Sequence, residues 1–421
     1  MYFTALDIGS SKIKALVAEI SNEGKMSLLG TFNVLSRGIR KGEITDFEEA
    51  TKSIGEILFQ IRNLNKAALK NIFVNVGSHK VRCQSSRGIV AIARADGEVS
   101  YDDIDRVVKA SQAIKLPDGN RMILHAITRE FILDGVNDIR DPLGMTGTRL
   151  EVNSLVINAF APNVKDIIKC VENCGGDVAG LIYSPLAASR SVLSKNQKDL
   201  GVVLIDLGAG TTALSIYEEG KLLHAATFPI GGGNITNDLA IGLKCSVDAA
   251  ELIKIFFGSA KASDIGAKEK ISAEIFKEKT GKDLKDIDKN FRCNIARHFV
   301  GEIIEDRLSE IFDFINDELK LIGRAHQLPA GAIICGGGAK MPGIVDLARA
   351  KLRLPIELSL PDVGDMEFFN SEDRNLTEES EFAVASGLLL WASDQMAKED
   401  KWSSGRRLPI NFGKILKYFM P

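Results

Sequence analysis

One short unit occurs twice in this chain, and it limits the possible folds more than anything else in the sequence. Leu6-Asp7-Ile8-Gly9 recurs 199 residues later as Ile205-Asp206-Leu207-Gly208. Each copy closes an apolar run, passes through small or polar residues and enters a second apolar run. The runs are residues 2–8 and 13–20 in the first copy, and 202–205 and 213–217 in the second. A strand-turn-strand unit opening each half predicts a duplicated α/β architecture.

Each residue type in the unit has a chemical use. Glycine lets the backbone come close to a bulky anion. Successive N–H groups in such a turn form an anion-binding concavity. Ser10, Ser11, Thr211 and Thr212 add hydroxyl donors, and Lys12 adds a full positive charge. Asp7 and Asp206 would repel a bare phosphate; they make sense with Mg²⁺ between them and the phosphates, held largely through its waters. Either turn alone reads as an ordinary hairpin. As a matched pair facing each other, they would grip a nucleotide triphosphate from both sides.

Two further glycine clusters support that reading. Gly336-Gly337-Gly338 follows an apolar run and would let a base or ribose lie against the backbone. Gly231-Gly232-Gly233-Asn234 opens a predicted helix whose N-terminus would face the nucleotide. No G-x-x-x-x-G-K-[ST] is present, so the site is not a P-loop. No G-x-G-x-x-G joins a first strand to a helix, which argues against a Rossmann dinucleotide site.

Between the two copies the pattern is α/β. Phe47, Ile54, Leu58, Ile61 and Leu64 fall at helical spacing, with Thr45 and Glu48 set as a capping box. Residues 71–77 read as a buried strand. Residues 84–162 differ: strand patterns at 88–93, 121–133 and 150–161 and a helix at 100–115 suggest a small α+β insertion. The parent pattern resumes with a helix at 163–174. Residues 241–304 look mostly helical with a charged surface, 303–322 form a long amphipathic helix, 378–392 an apolar helix and 397–405 a polar linker.

Fifty-three Lys and Arg against fifty-six Asp and Glu give a net charge of −3, which weakens a general nucleic-acid reading. No stretch reaches the roughly 18 apolar residues of a spanning helix. No basic segment followed by an apolar one opens the chain, so the expected compartment is the cytoplasm. The six cysteines show no C-x-x-C spacing; Cys170 and Cys174, four apart, have no second ligand pair nearby and read as reduced thiols.

Residues 406–421 carry four basic residues and no acid. Phe412, Ile415, Leu416 and Phe419 share one helical face, Leu408 lies upstream, and Lys414 and Lys417 lie away from the face. Such a segment reads as a helix in a membrane interface, its cations near anionic headgroups and each contributing about 1 kcal/mol, or else as a C-terminal helix docked on its own domain; the polar linker before it and its uniform positive charge favour the first. One copy binds weakly; many copies on a polymer bind firmly.

Asp7-x-Gly9, Asp206-x-Gly208-x-Gly210-Thr211-Thr212 and Gly336-Gly337-Gly338 resemble the two phosphate motifs and the adenosine motif of the actin/Hsp70/sugar-kinase superfamily. Within it, Ala5-Leu6-Asp7-Ile8-Gly9-Ser10-Ser11-Lys12, the position of the insertion and the basic tail are similar to the FtsA family of bacterial cell-division proteins. The likeness covers nearly the whole chain. It implies an actin-like (ribonuclease H-like) α/β fold, two lobes around a nucleotide cleft. The implied divisions are subdomain 1A (1–83 and 163–199), inserted subdomain 1C (84–162), 2A (200–240 and 305–396, with a helix returning to 1A) and 2B (241–304). A linker (397–405) and a membrane-targeting helix (406–421) complete them.

It also implies ATP and Mg²⁺ as cofactors. Gly9, Ser10, Ser11 and Lys12 would meet phosphates from one side, and Asp206, Gly208, Gly210, Thr211 and Thr212 from the other. Gly232, Gly233, Asn234 and Gly336 to Gly338 would line the nucleoside, with Glu251 and Lys254 reaching the ribose or base. The implied role is a filament-forming adaptor on the cytoplasmic face of the membrane at the division site. Its partners would be other copies of itself, anionic lipids, further division proteins and the C-terminal tail of the tubulin-like protein FtsZ, whose acidic residues could pair with Arg297 and Arg307.

One departure bears on chemistry. Strongly hydrolysing relatives place a Glu or Gln just before the segment matched here by Pro185-Leu186-Ala187-Ala188; this chain has Ser184. A hydroxyl is a poor general base. The expectation is ATP as an assembly switch with little or no hydrolysis, Asp7 and Asp206 supporting at most slow Mg²⁺-assisted turnover. The rival readings are a chaperone-like ATPase, a sugar kinase and a pilus-assembly relative. No substrate-binding domain follows residue 392, no catalytic Asp for a kinase is evident, and a pilus relative would lack the basic tail.

Overall fold

The two copies of the repeated unit fold as tight hairpins, and each takes the same place in its own sheet. The computed structural model describes residues 1–403 apart from 22–24, 115, 117–118, 289–293 and 365. The first sheet runs in the order Val178–Tyr183, Ile72–Val76, Tyr2–Ile8, Lys12–Ile20, Met26–Leu35, Glu367–Phe368. The second runs Ile356–Leu358, Ala332–Cys335, Val202–Leu207, Thr212–Glu218, Lys221–Phe228. In both, three consecutive strands form an antiparallel meander. The first of the three then pairs in parallel with a strand from much later in the chain, Leu6 beside Val74 and Ile205 beside Ile334.

A parallel neighbour needs a crossover. In the first sheet the helix Phe47–Leu64 supplies it, and in the second the helices Gly232–Leu243, Val247–Phe257 and Arg297–Leu321 do. All residues of Ile72–Val76 and Ala332–Cys335 are buried, as central strands covered on both faces must be. The second lobe also carries a short two-stranded antiparallel sheet, Lys270–Ser272 with Asn294–Ala296, within a region the sequence suggests is mostly helical.

The insertion is a four-stranded sheet ordered Arg82–Ala91, Arg149–Phe160, Arg121–Leu133, Val136–Ile139. The helix Tyr101–Gln112 covers one face over a small core that includes Val107, Phe131, Leu150 and Val152. Ser100 and Asp103 form its capping box. The insertion also reaches the second lobe. Arg129 donates to the carbonyls of Leu222, at 3.0 Å, and Leu223 on the edge strand of the second sheet.

The helix Phe47–Leu64 starts one residue later than the expected capping box. Asp46 caps it by accepting from the Glu49 N–H at 3.1 Å. Thr45 is held by Gly38, whose carbonyl accepts both its N–H at 2.8 Å and its hydroxyl at 3.2 Å.

A last helix, Ala383–Ser403, returns to the first lobe and packs on Ser184–Val192, Tyr2–Ile8, Lys12–Ile20 and Ile72–Val76. Its contact with Ser184–Val192 is backbone to backbone. A Cβ on Gly387 would run into the Ala187 carbonyl oxygen. The helix continues to Ser403 through the start of the expected linker, because Ala397, Lys398, Glu399 and Lys401 are good helix formers. Residues 404–421, which hold the rest of the linker and all of the amphipathic segment with Leu408, Phe412, Lys414, Ile415, Leu416, Lys417 and Phe419, lie outside the described residues.

Candidate functional site: a cleft between two matched turns

The two turns are closed by equivalent bonds. The Gly9 N–H donates to the Lys12 carbonyl at 3.2 Å, and the Gly208 N–H to the Thr211 carbonyl at 3.0 Å. A Cβ would stand 2.7 Å from the Lys12 oxygen at Gly9 and 2.9 Å from the Thr211 oxygen at Gly208. Only glycine closes the turn this tightly. The turns also approach each other: a Cβ on Gly210 would lie 2.5 Å from the Ser10 Oγ and 2.7 Å from its Cβ.

Between them lies a cleft of about 410 Å³, within the range that small-molecule ligands fill. Its walls include Asp7, Gly9, Ser10, Ser11 and Lys12 from the first lobe, and Asp206, Gly208, Gly210 and Thr211 from the second. Gly232, Glu251, Lys254 and Gly336 to Gly338 line the same space. Lys254 Nζ donates to Glu251 Oε2 at 2.6 Å, to Thr236 Oγ1 at 2.8 Å and to the Gly232 carbonyl at 3.2 Å. Gly336 takes φ +85° and donates to the Ser380 carbonyl at 3.0 Å.

Three of the expected residues are not among the walls of this cleft. Thr212 is buried and donates its hydroxyl to the Ile230 carbonyl at 2.8 Å. Gly233 donates its N–H to the Ala209 carbonyl at 2.7 Å. Asn234 caps its own helix by accepting from the Gly231 N–H at 3.1 Å. All three shape the loop that lines the cleft.

The structure adds Lys14, Asn75, Lys340 and Glu381 to the wall, which also includes Ser184, the residue singled out from the sequence. Lys14 stands opposite Asp7 across the hairpin, and its Nζ lies 3.3 Å from Asp7 Oδ2. Asn75 accepts from the Ile8 N–H at 2.7 Å and donates to Asp7 Oδ1 at 2.8 Å and Ser184 Oγ at 3.2 Å. A hidden signal for both was available. Lys14 shares a strand face with Lys12, and Asn75 is the one polar residue in an otherwise apolar run.

The duplication breaks at the aspartates. The residue opposite Asp206 is Ala213, so the second carboxylate has no lysine across its hairpin. Burial, and then the charge of Asp7, push Asp206 up to about 6, with Lys14 opposing. Two carboxylates face one cleft; among the described residues Lys14 forms its ion pair with Asp7 and acts on Asp206 without pairing with it. Hard oxygen donors in this number suit Mg²⁺, which binds through one or two carboxylates, waters and ligand phosphates.

Arg297 and Arg307 lie on one long helix of the second lobe, each engaged within the chain. Arg297 pairs with Glu269 at 2.6 Å and donates to the Phe257 carbonyl at 3.0 Å. Arg307 grips Asp238 through two bonds of 2.6 and 3.0 Å and also pairs with Glu310.

Comparison with known proteins agrees with this layout. The family model described as Cell division protein FtsA matches residues 203–387, and that described as SHS2 domain inserted in FTSA matches 78–158. The chain is 35% identical over 356 residues to the cell division protein FtsA of Pseudomonas aeruginosa, covering 85% of this chain and 82% of that one. It is 32% identical over 360 residues to the FtsA of Bacillus subtilis, covering 86% and 79%. The chain belongs to the FtsA family of cell-division proteins.

Solved structures place the FtsA fold among actin-like proteins. A PilM-PilN type IV pilus biogenesis complex matches with a TM-score of 0.64 at 18% identity, covering 93% of this chain and 98% of that one. MreB5 of Spiroplasma citri bound to ADP matches with a TM-score of 0.52 at 14% identity, covering 95% and 98%. Likeness at this identity speaks for the fold alone. Family membership sets aside the chaperone and pilus readings in favour of cell division. Among the described residues no helix is long and apolar enough to cross a membrane.

Proposed function

We propose that this FtsA-family chain binds Mg-ATP in the interlobe cleft, assembles into actin-like filaments and tethers FtsZ filaments to the cytoplasmic membrane at the division site. The observation that carries the nucleotide part is the facing pair of glycine turns with Asp7 and Asp206 between them. Their N–H groups and hydroxyls would hold phosphates, Lys12 and Lys14 would balance phosphate charge, and Asp7 and Asp206 would hold Mg²⁺ through its waters. Bound there, Mg²⁺ would neutralise phosphate charge. Glu251 and Lys254 would meet the ribose or base beside the glycine loop at 336–338. The actin-like relative named as bound to ADP supports a nucleotide in a cleft of this kind.

Slow turnover follows from the residues beside the phosphate site. Ser184 accepts a bond from Asn75, and a hydroxyl withdraws a proton from water poorly. Asp7 is engaged by Asn75 and Lys14. Nucleotide therefore acts as an assembly switch. The basic amphipathic segment at 406–421 supplies the membrane contact, and FtsZ is engaged through the second lobe, with Arg297 and Arg307 as candidate contacts once their present acids yield.

The test is co-sedimentation with anionic liposomes in Mg-ATP, comparing the full chain with one ending at Ser404. The full chain pellets and the short one stays soluble. Equal behaviour of the two would remove the tail from the proposal. Failure of the full chain to bind ATP by calorimetry would remove the cleft.

A further inference from the structure

An acid stands among the cations of the proposed phosphate site. Glu381 lies on the short 3-10 turn Ser380–Phe382, which leads into the return helix, and it lines the cleft. Its carboxylate lies 3.5 Å from Lys12 Nζ of the first lobe and 3.2 Å from Lys340 Nζ of the second. Its backbone carbonyl accepts from Lys14 Nζ at 2.6 Å. The Glu381 side chain is only 19% exposed, and its turn is fixed to the glycine loop by the Ser380 hydroxyl, which donates to the Gly336 carbonyl at 3.1 Å. Burial alone would raise its pKa, but Lys12, Lys14 and Lys340 together hold it below the ordinary range. It is therefore a carboxylate at neutral pH.

We infer that Glu381 sets phosphate selectivity in the cleft. Its carboxylate holds the cations a polyphosphate needs, so it opposes binding more strongly for each phosphate added. This rests on the cleft being a nucleotide site. The contact also spans the lobes, since Lys12 belongs to one turn and Lys340 to the loop of the other sheet. A phosphate chain that recruits Lys12 breaks a bridge across the cleft, while a nucleoside alone leaves it intact. The wild-type chain should therefore discriminate ATP from ADP and AMP less well than its lysines alone would allow.

The experiment measures AMP, ADP and ATP affinities of the full-length wild type, Glu381→Gln and Glu381→Asp by calorimetry with Mg²⁺ at low salt. Removing one charge at this range should tighten ATP by about five-fold more than ADP, and ADP by more than AMP. Glu381→Asp, which keeps the charge, retains the wild-type ratios and controls for shape. The graded gain should shrink in 0.5 M salt. Equal gains for all three nucleotides would show a merely steric role and overturn the inference, as would an unchanged or weaker ATP affinity in Glu381→Gln. Absence of binding of any nucleotide to all three proteins would defeat the nucleotide reading itself, and the inference with it.

Discussion

Replacing Asp206 by Asn should stabilise the nucleotide-free protein, by an amount that depends on pH. The carboxylate is carried from 3.8 to about 6 in the folded chain, first by burial and then by Asp7. At about 1.4 kcal/mol per pKa unit, keeping it ionised costs about 3 kcal/mol above pH 6. A raised carboxyl means the folded state holds its proton where the unfolded state has lost it. Stability therefore falls as pH rises from about 4 to about 6, then levels off. At pH 5 about half of the cost remains. The amide of the Asp206→Asn variant bears no charge at any pH, so the variant gains about 3 kcal/mol at pH 8 and about half that at pH 5. In a chain of this size, about 1–2 °C per kcal/mol gives a rise in Tm of roughly 3–6 °C at pH 8. Thermal melts of both proteins without nucleotide, at pH 5 and pH 8, measure it. Mg²⁺ should raise the wild-type Tm and narrow the gap. A gain of equal size at both pH values, or a loss at pH 8, would refute the argument from the unpaired carboxylate.

Two further substitutions test the geometry. Gly210→Ala sets a methyl 2.5 Å from Ser10 Oγ and 2.7 Å from its Cβ and should push the turns apart, weakening ATP binding; unchanged affinity by calorimetry would show that the turns do not act together. Gly387→Ala drives a methyl into the Ala187 carbonyl and should cost more than about 3 kcal/mol, read as a lower denaturation midpoint or as insoluble protein.

The duplicated turns were legible because their chemistry is local: Gly9 and Gly208 are needed by hydrogen bonds that span only three residues. The matching sheets follow from the same repeat. Asn75 and Lys14 stood in plain view as a polar residue in an apolar strand and a second lysine on one strand face, but strand pairing was needed to aim them at Asp7. Glu381 could not be placed, since its partners Lys12 and Lys14 are hundreds of residues away in sequence. Thr212, Gly233 and Asn234 sit in the right motifs, yet the motif does not reveal which side of a loop faces the ligand. The last helix runs on to Ser403 where the polar pattern suggests a linker, because charged residues such as Lys398, Glu399 and Lys401 suit a helix as well as a solvated linker.

The return helix adds a mechanical consequence. It is packed into the same lobe as the first strand, with its glycine seated directly on a neighbouring backbone. Anything that holds the protein through the segment beyond Ser403 therefore grips the first lobe directly and the second only through the contacts between them. With the first lobe as the fixed base, a change of cleft width would be taken up by the second lobe, against the Arg129 and Ser380 contacts that join the two. A small change at the turns is then delivered, with the leverage of a whole lobe, to whatever the far surface touches.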